Sequence, residues 1–419
     1  MPSASAGGSC RFCRSELVTS VVDLGLSPIA NEFRDAATAA VSPQIHYPLK
    51  VMVCESCWLV QLSHVDTPSH FNEAYAYFSS YSQSWLDHAE RYAKDMIERL
   101  SLGPQSQVLE IGSNDGYLLR YFKEAGLSVL GVEPSANVAS AAQDEHDIQT
   151  VVEFFGLSCA TRLKADGCAA DLMVANNVLA HVPDINDFVA GFKHLLKPDG
   201  TITFEFPHLL RLLELCQFDT IYHEHFSYLS LGIVERILNT HGLEVYAVQE
   251  LDTHGGSLRV FARHQGSAAS NDSGGARVRE KVRGDEERYE LEALRTYAGF
   301  GDQVIQHKAD FVSFLIQARA DRKKVLAYGA PAKGNTFLNY CGVGPELVGY
   351  TVDLNPYKQN KFLPGVNIPV RTPDDLLADQ PDYIVILPWN LRSEISEQLA
   401  AARDWGGKFV VAIPELEIF

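Results

Sequence analysis

From Gln107 onward, short apolar runs alternate with stretches whose apolar residues fall at helical intervals. The first run, Val108-Leu-Glu-Ile-Gly-Ser-Asn-Asp-Gly-Tyr117, ends in Gly112 and Gly116, and Leu118, Leu119, Tyr121 and Phe122 then take up a helical pattern. This predicts a buried strand, a turn, and a helix whose N-terminus faces the turn. The glycines are expected to let the backbone approach a ligand closely. Val129-Leu-Gly-Val-Glu133, Asp171-Leu-Met-Val-Ala-Asn-Asn177 and Thr201-Ile-Thr-Phe-Glu-Phe206 continue the alternation, the last after a turn at Lys197-Pro-Asp-Gly200. A parallel sheet covered by helices is therefore predicted over about 107–265.

A second alternation starts at Lys323-Lys-Val-Leu-Ala-Tyr-Gly329 and continues through strands at Glu346–Asp353 and Tyr383–Asn390. Between the two, Gln265–Gly284 is small and polar, which reads as a mobile loop or linker, and Asp285–Arg322 reads as one long helix with a solvated charged face. Near the N-terminus, Trp58-Leu-Val-Gln-Leu-Ser63 predicts a short strand and about Trp85–Leu102 a helix. The expected architecture is α/β in three units: residues 1–80, 81–265 and 266–419.

The chain is 419 residues long, with 46% hydrophobic and 21% charged residues, as expected of a globular protein, and no apolar stretch is long enough to span a bilayer. Its first residues lack the basic and apolar regions of a signal peptide, so a cytoplasmic location is expected. A net charge of −18 argues against general nucleic-acid binding, which rests on clustered Lys and Arg.

Four of eight cysteines form two pairs, Cys10-Arg-Phe-Cys13 and Cys54-Glu-Ser-Cys57. Four thiolates complete the closed tetrahedral shell of a structural zinc, so the metal is expected to hold a small N-terminal domain together. Cys159, Cys168, Cys216 and Cys341 read as ordinary thiols.

Glu133 closes the second strand of the first sheet, where a carboxylate can accept both ribose hydroxyls of a nucleoside; capping a helix is the simpler alternative. NAD and S-adenosylmethionine (SAM) both suit an acid there. Gly112-Ser-Asn-Asp-Gly116 lacks the G-x-G-x-x-G that seats a pyrophosphate, which favours SAM. Strand ends place Asn176, Asn177 and His181 by the cleft, although a lone loop histidine is commonly just a satisfied polar residue.

Ile221-Tyr-His-Glu-His-Phe-Ser-Tyr228 is the densest polar stretch. Extended, it would put Tyr222, Glu224 and Phe226 on one face and His223 and His225 on the other; helical, it would bring His225 closer to Tyr222 and Glu224. Two imidazoles without an evident third ligand argue against a metal and for acid–base work, with a structural role the alternative. Tyr75 and Tyr77 share the period of an extended segment and either line a cleft or pack a domain junction. Gly329-Ala-Pro-Ala-Lys333-Gly334-Asn335 lacks the Walker and dinucleotide signatures, yet its N–H groups, Lys333 and Asn335 can meet a phosphate, with Lys361 as a second cation; otherwise it merely supports the fold.

The paired C-x2-C knuckles, Tyr-x-Tyr-Phe-Ser-Ser, Glu-Ile-Gly-Ser-Asn-Asp-Gly, Tyr-His-Glu-His-Phe-Ser-Tyr and Gly-Ala-Pro-Ala-Lys-Gly-Asn occur in one order along the whole chain. Together they resemble the sugar C-methyltransferases of antibiotic deoxysugar pathways, in particular the C-3 methyltransferases of TDP-linked 4-keto-6-deoxysugars, including the tetronitrose-type enzyme. The resemblance implies a three-domain monomer with a zinc-binding domain, a SAM domain and a Rossmann-like domain holding the sugar nucleotide. It implies that Tyr222, Glu224, His225 and His181 surround the sugar, joined by Tyr75 or Tyr77, with Tyr77 preferred. A 4-keto group acidifies C-3, so the reaction needs a base there and donors at the enolate oxygen. His225 is the expected base, Glu224 its orienting partner, and Tyr222 or His181 the enolate donor, the two histidines being interchangeable at this point. Glu110, Gly112, Asn114, Gly116, Glu133, Asn176 and Phe154 or Phe155 are expected around SAM, and Asn177, Lys333, Asn335 and Lys361 at the diphosphate. Methylation of oxygen or nitrogen on another small acceptor, and a non-enzymatic zinc-ribbon binding protein with a vestigial nucleotide fold, are the alternatives.

Overall fold

A computed structural model describes residues 8–37, 43–63, 78–267 and 272–419. Three sheets carry the chain. The first is antiparallel, in the order β1 (Thr19–Ser27), β2 (Tyr47–Val53), β3 (Val60–Leu62) and β9 (Ser227–Tyr228). Its last strand thus comes from the stretch that follows His225, which fixes that stretch to the N-terminal unit.

The central sheet has seven strands, ordered β10 (Leu243–Leu251), β11 (Ser257–His264), β8 (Leu196–Pro207), β7 (Ala170–Asn176), β4 (Gln107–Ile111), β5 (Ser128–Val132) and β6 (Thr150–Val151). β4 to β8 run parallel and the β10–β11 hairpin adds antiparallel to β8. Parallel strands are covered on both faces, which explains why β4 and β7 read as nearly continuous apolar runs. The third sheet is ordered β14 (Val370–Arg371), β13 (Thr351–Val352), β12 (Val325–Tyr328), β15 (Tyr383–Ile386), β16 (Lys408–Val411) and β17 (Glu417–Ile418), parallel except for β17.

Two expectations are corrected. The polar stretch read as a linker through Gly284 is a helix, Ser273–Arg288, because its buried face packs on β10: Val282 enters the core and Gly275 lies so close to Ala247 that a Cβ would meet it at 2.5 Å. The single long helix expected next is broken, with Arg295–Ala298 and Phe300–Ala320 as separate elements. Phe311 and Leu315 of the latter bury against the third domain, where Phe311 packs on Phe337.

One apolar cluster runs from β1–β3 through Leu209–Phe226 to the third sheet, and a second joins the cysteine knuckles to the central sheet. The segment Leu209–Phe226 therefore lies where all three domains meet. No described helix is long and apolar enough to cross a membrane.

Candidate active site

The four sulfurs Cys10, Cys13, Cys54 and Cys57 lie within 4.8 Å of one another. Zinc–sulfur bonds of ~2.3 Å place tetrahedral sulfurs ~3.8 Å apart, so this donor set fits a structural zinc with no open position. Each knuckle turns tightly: the Arg14 N–H donates to the Cys10 carbonyl at 3.0 Å and the Trp58 N–H to that of Cys54 at 2.8 Å. Gln61 Nε2 donates to Cys10 Sγ at 3.2 Å, the kind of outer hydrogen bond that orients a metal ligand. Arg11, inside the first knuckle, reaches outward and donates to the carbonyls of Leu62 (2.8 Å) and Phe226 (3.2 Å).

At the end of β4, Gly112 and Gly116 take φ of +69° and +79°. A Cβ at Gly112 would lie 2.6 Å from Val178, and one at Gly116 2.7 Å from Ile148. Left-handed backbone and packing thus require glycine at both positions. Asn114 donates its backbone N–H to Glu133 at 3.1 Å, and its side-chain oxygen accepts from the Ser79 N–H at 2.9 Å. Asp115 accepts from the Ser80 N–H at 3.0 Å, so the segment before the helix Gln83–Arg99 is tied to the turn.

Glu133 accepts a second N–H from Ser135 at 2.9 Å, pinning the turn and the following helix together. Each carboxylate oxygen keeps a second lone pair for a ribose hydroxyl. Burial raises its carboxyl above the usual range, against the lowering effect of these two N–H groups. Burial also pushes Glu110 well above that range, the Tyr117 hydroxyl opposing. At the strand ends the buried side-chain oxygens of Asn176 and Asn177 have no hydrogen-bond partner among the described residues. Buried acceptors beside a carboxylate-pinned glycine turn fit the polar groups of SAM. Phe155, half-buried, packs edge-on to Phe188 and Phe192, whereas Phe154 is exposed beyond β6.

Tyr222–His225 is neither extended nor helical. The His225 N–H donates to the Tyr222 carbonyl at 2.9 Å, closing a turn that stacks the two rings at 3.9 Å. His225 Nδ1 donates to the Thr220 carbonyl at 2.8 Å, which fixes the tautomer and leaves Nε2 to accept the Tyr222 hydroxyl at 2.7 Å. The His181 ring stands edge-on to His225 at 4.7 Å. Burial lowers both histidines, His181 to about 4 and His225 well below its ordinary value, with His181 adding to the latter. Both are neutral at working pH.

Glu224 departs from expectation. Its carboxylate does not orient His225 but accepts from Asn31 Nδ2 at 2.9 and 2.8 Å, because the turn sends successive side chains to opposite sides. Burial raises its carboxyl to about 7, the Asn31 amide opposing. His223 faces the first sheet, with Nε2 3.3 Å from the Tyr47 carbonyl oxygen. Tyr75 and Tyr77 lie outside the described residues.

In the third domain, Lys333 is half-buried above the Trp389 ring at 4.5 Å and donates to Asn390. Burial lowers its ammonium to about 8, Asp219 opposing. Asn335 is corrected as a phosphate ligand: its Nδ2 donates to the Ala30 carbonyl at 3.2 Å and its oxygen accepts from Asn339 at 3.0 Å, so it joins two domains. A cation missed in the sequence, Lys358, donates to the Ala330 carbonyl at 3.0 Å and so reaches the glycine turn. Asn31 was missed as well, since nothing local marks it and its partner is 193 residues away.

The family described as "Methyltransferase domain" matches residues 85–248, that described as "C-methyltransferase C-terminal domain" residues 252–414, and that described as "Putative zinc binding domain" residues 10–71. Over 406 residues the chain is 36% identical to C-methyltransferase NovU of Streptomyces niveus, covering 97% of this chain and 95% of that protein. The chain belongs to this C-methyltransferase family. A C-methyltransferase uses SAM, and the matched methyltransferase domain includes the glycine turn and Glu133. A shorter similarity, 31% over 96 residues, covers 22% of the chain and 37% of the ubiquinone biosynthesis O-methyltransferase of Rhodopseudomonas palustris. Among solved structures, magnesium protoporphyrin IX methyltransferase from Synechocystis is similar over 43% of this chain and 82% of its own, at 14% identity and a TM-score of 0.33.

Proposed function

We propose that this C-methyltransferase methylates C-3 of a TDP-linked 4-keto-6-deoxysugar, with or without a 3-amino group. The observation that carries the reading is the Thr220–His225–Tyr222 chain: a neutral imidazole of fixed tautomer beside a phenol and a second neutral imidazole. Carbon methylation needs a C–H proton removed, and a buried neutral base performs that step without a metal.

His225 Nε2 takes the C-3 proton, and the C–H electron pair moves into an enolate whose negative charge settles on the C-4 oxygen. Tyr222, displaced from Nε2 as the proton arrives, or His181 donates to that oxygen. SAM, when bound, supplies an electrophilic methyl sulfonium. Glu110, Asn114, Asn176 and Glu133 shape its cleft, with Phe154 beside the adenine. Asn177, Lys333 and Lys361 serve the diphosphate, and Lys358 adds a cation beside them. The protein acts as a monomer.

The test is exchange of the substrate C-3 proton in deuterated water, followed by NMR. Purified His225→Ala should lose exchange by about 10²–10⁴-fold, the usual contribution of a general base. Exchange at the wild-type rate in His225→Ala and its loss in His181→Ala would exchange the two roles. Methylation at oxygen or nitrogen, seen in the product, would replace the reading by that of a small-molecule O- or N-methyltransferase.

A further inference from the structure

The connection between β10 and β11, His254-Gly-Gly-Ser257, reads from sequence as a flexible turn. The structure clamps it on two sides. Toward the central sheet, Thr253 Oγ1 donates to Glu205 Oε1 at 3.1 Å. Glu205 Oε2 accepts from Arg259 at 2.7 Å and lies 3.0 Å from His88 Nε2. Burial alone would raise the Glu205 carboxyl; His88 and Arg259 outweigh it and hold it at about 2, so this anchor is an anion throughout the working range. Toward the third domain, Gln217 Nε2 donates to the Gly255 carbonyl at 2.7 Å, and Gly255 lies so close to Trp389 that a Cβ would meet the ring at 2.3 Å.

Between the clamps His254 has φ +54° and ψ 20°, left-handed values that a non-glycine residue adopts where its surroundings dictate them. Its ring is 5.6 Å from that of Trp85, which in turn stacks at 6.0 Å on Tyr117 of the SAM turn. Burial and the Lys333 charge lower the imidazole to about 4, and His181 is near enough to contribute. Among the described residues neither ring nitrogen of His254 has a hydrogen-bond partner, whereas Thr253, Glu205 and Gln217 around it are each engaged.

We propose that His254 is a substrate-contacting residue: its neutral imidazole donates an N–H to the sugar nucleotide between the ring that reacts at His225 and the diphosphate at Lys333. The left-handed turn exists to present that ring. A neutral donor suits this middle position, because Lys333 already supplies the cation and a second one beside it would repel it. The inference rests on the sugar-nucleotide reading above.

His254→Gly tests it, since glycine accepts the left-handed turn and only the ring is lost. Asparagine also tolerates this backbone and restores a donor. With SAM present, calorimetric titration of a TDP-4-ketosugar and steady-state kinetics are expected to show His254→Gly weakening binding and raising KM by about tenfold or more. The dissociation constant for SAM and the melting temperature should stay near wild type, and His254→Asn should recover most of the loss. Wild-type KM in His254→Gly, an equal loss of SAM affinity, or an asparagine variant no better than glycine would each overturn the proposal. If the wild-type protein itself neither binds nor methylates the TDP-4-ketosugar, the substrate reading fails and this assignment falls with it.

Discussion

His225 and Tyr222 share a hydrogen bond of 2.7 Å, and their roles differ in what removal should do. Tyr222→Phe leaves His225 held by Thr220 and frees its lone pair, so the base survives and one donor is lost. Its kcat should fall by about 10²-fold, the usual effect of one oxyanion donor, and proton exchange should persist where His225→Ala abolishes it. A fall in Tyr222→Phe as deep as in His225→Ala would instead make the phenol an obligatory relay. Glu224 supplies a prediction with a definite sign. Burial raises its folded pKa to about 7, above that of the unfolded chain, so the stability it contributes is present at low pH and lost as pH rises through 7. Glu224→Gln, which is never charged, should therefore melt higher than wild type at pH 8.5 by more than at pH 5.5. An equal difference at the two pH values would show that the carboxyl titrates normally.

At the scale of elements, the cysteine knuckle and the Tyr222–His225 turn are one mechanical unit. Arg11 holds the Phe226 carbonyl, β9 pairs with β3, and Asn31 holds Glu224. Stripping zinc with a chelator, or Cys54→Ser, should lower both melting temperature and kcat. SAM binding, which depends on the central sheet, should survive better than methyl transfer. A zinc-free protein with full activity would sever that link. These contacts also show what the chain disclosed by itself. C-x2-C spacing and strand–turn–helix periodicity are local, so the zinc site, the central sheet and the third sheet were legible. The conformation of Tyr222–His225 was not, because a turn is chosen by what packs around it. The helix Ser273–Arg288 was missed for the same reason: a polar, small-residue composition outweighed a buried stripe supplied by β10.

At the scale of the molecule, the domains meet through side chains that look like ligands in the sequence. Asn335 sits in a phosphate-like glycine turn, yet it joins the third domain to the N-terminal one through Ala30. Asn335→Ala should cost about 1–3 kcal/mol in stability, since it leaves the buried Ala30 carbonyl without the Asn335 amide, and should leave the KM for the sugar nucleotide little changed. A raised KM with unchanged stability would return Asn335 to the diphosphate. The sequence by itself determined the three-domain order, the four zinc ligands, the glycine turn and the polar stretch Tyr222–His225 as a cluster, because each is written in residues adjacent or regularly spaced along the chain. Only the tertiary structure decided that Glu224 answers to Asn31, that His225 is neutral with its tautomer set by Thr220, and that His254 stands in the same cleft. Those outcomes depend on burial and on partners supplied by distant segments, and neither quantity exists until the three sheets have closed on one another.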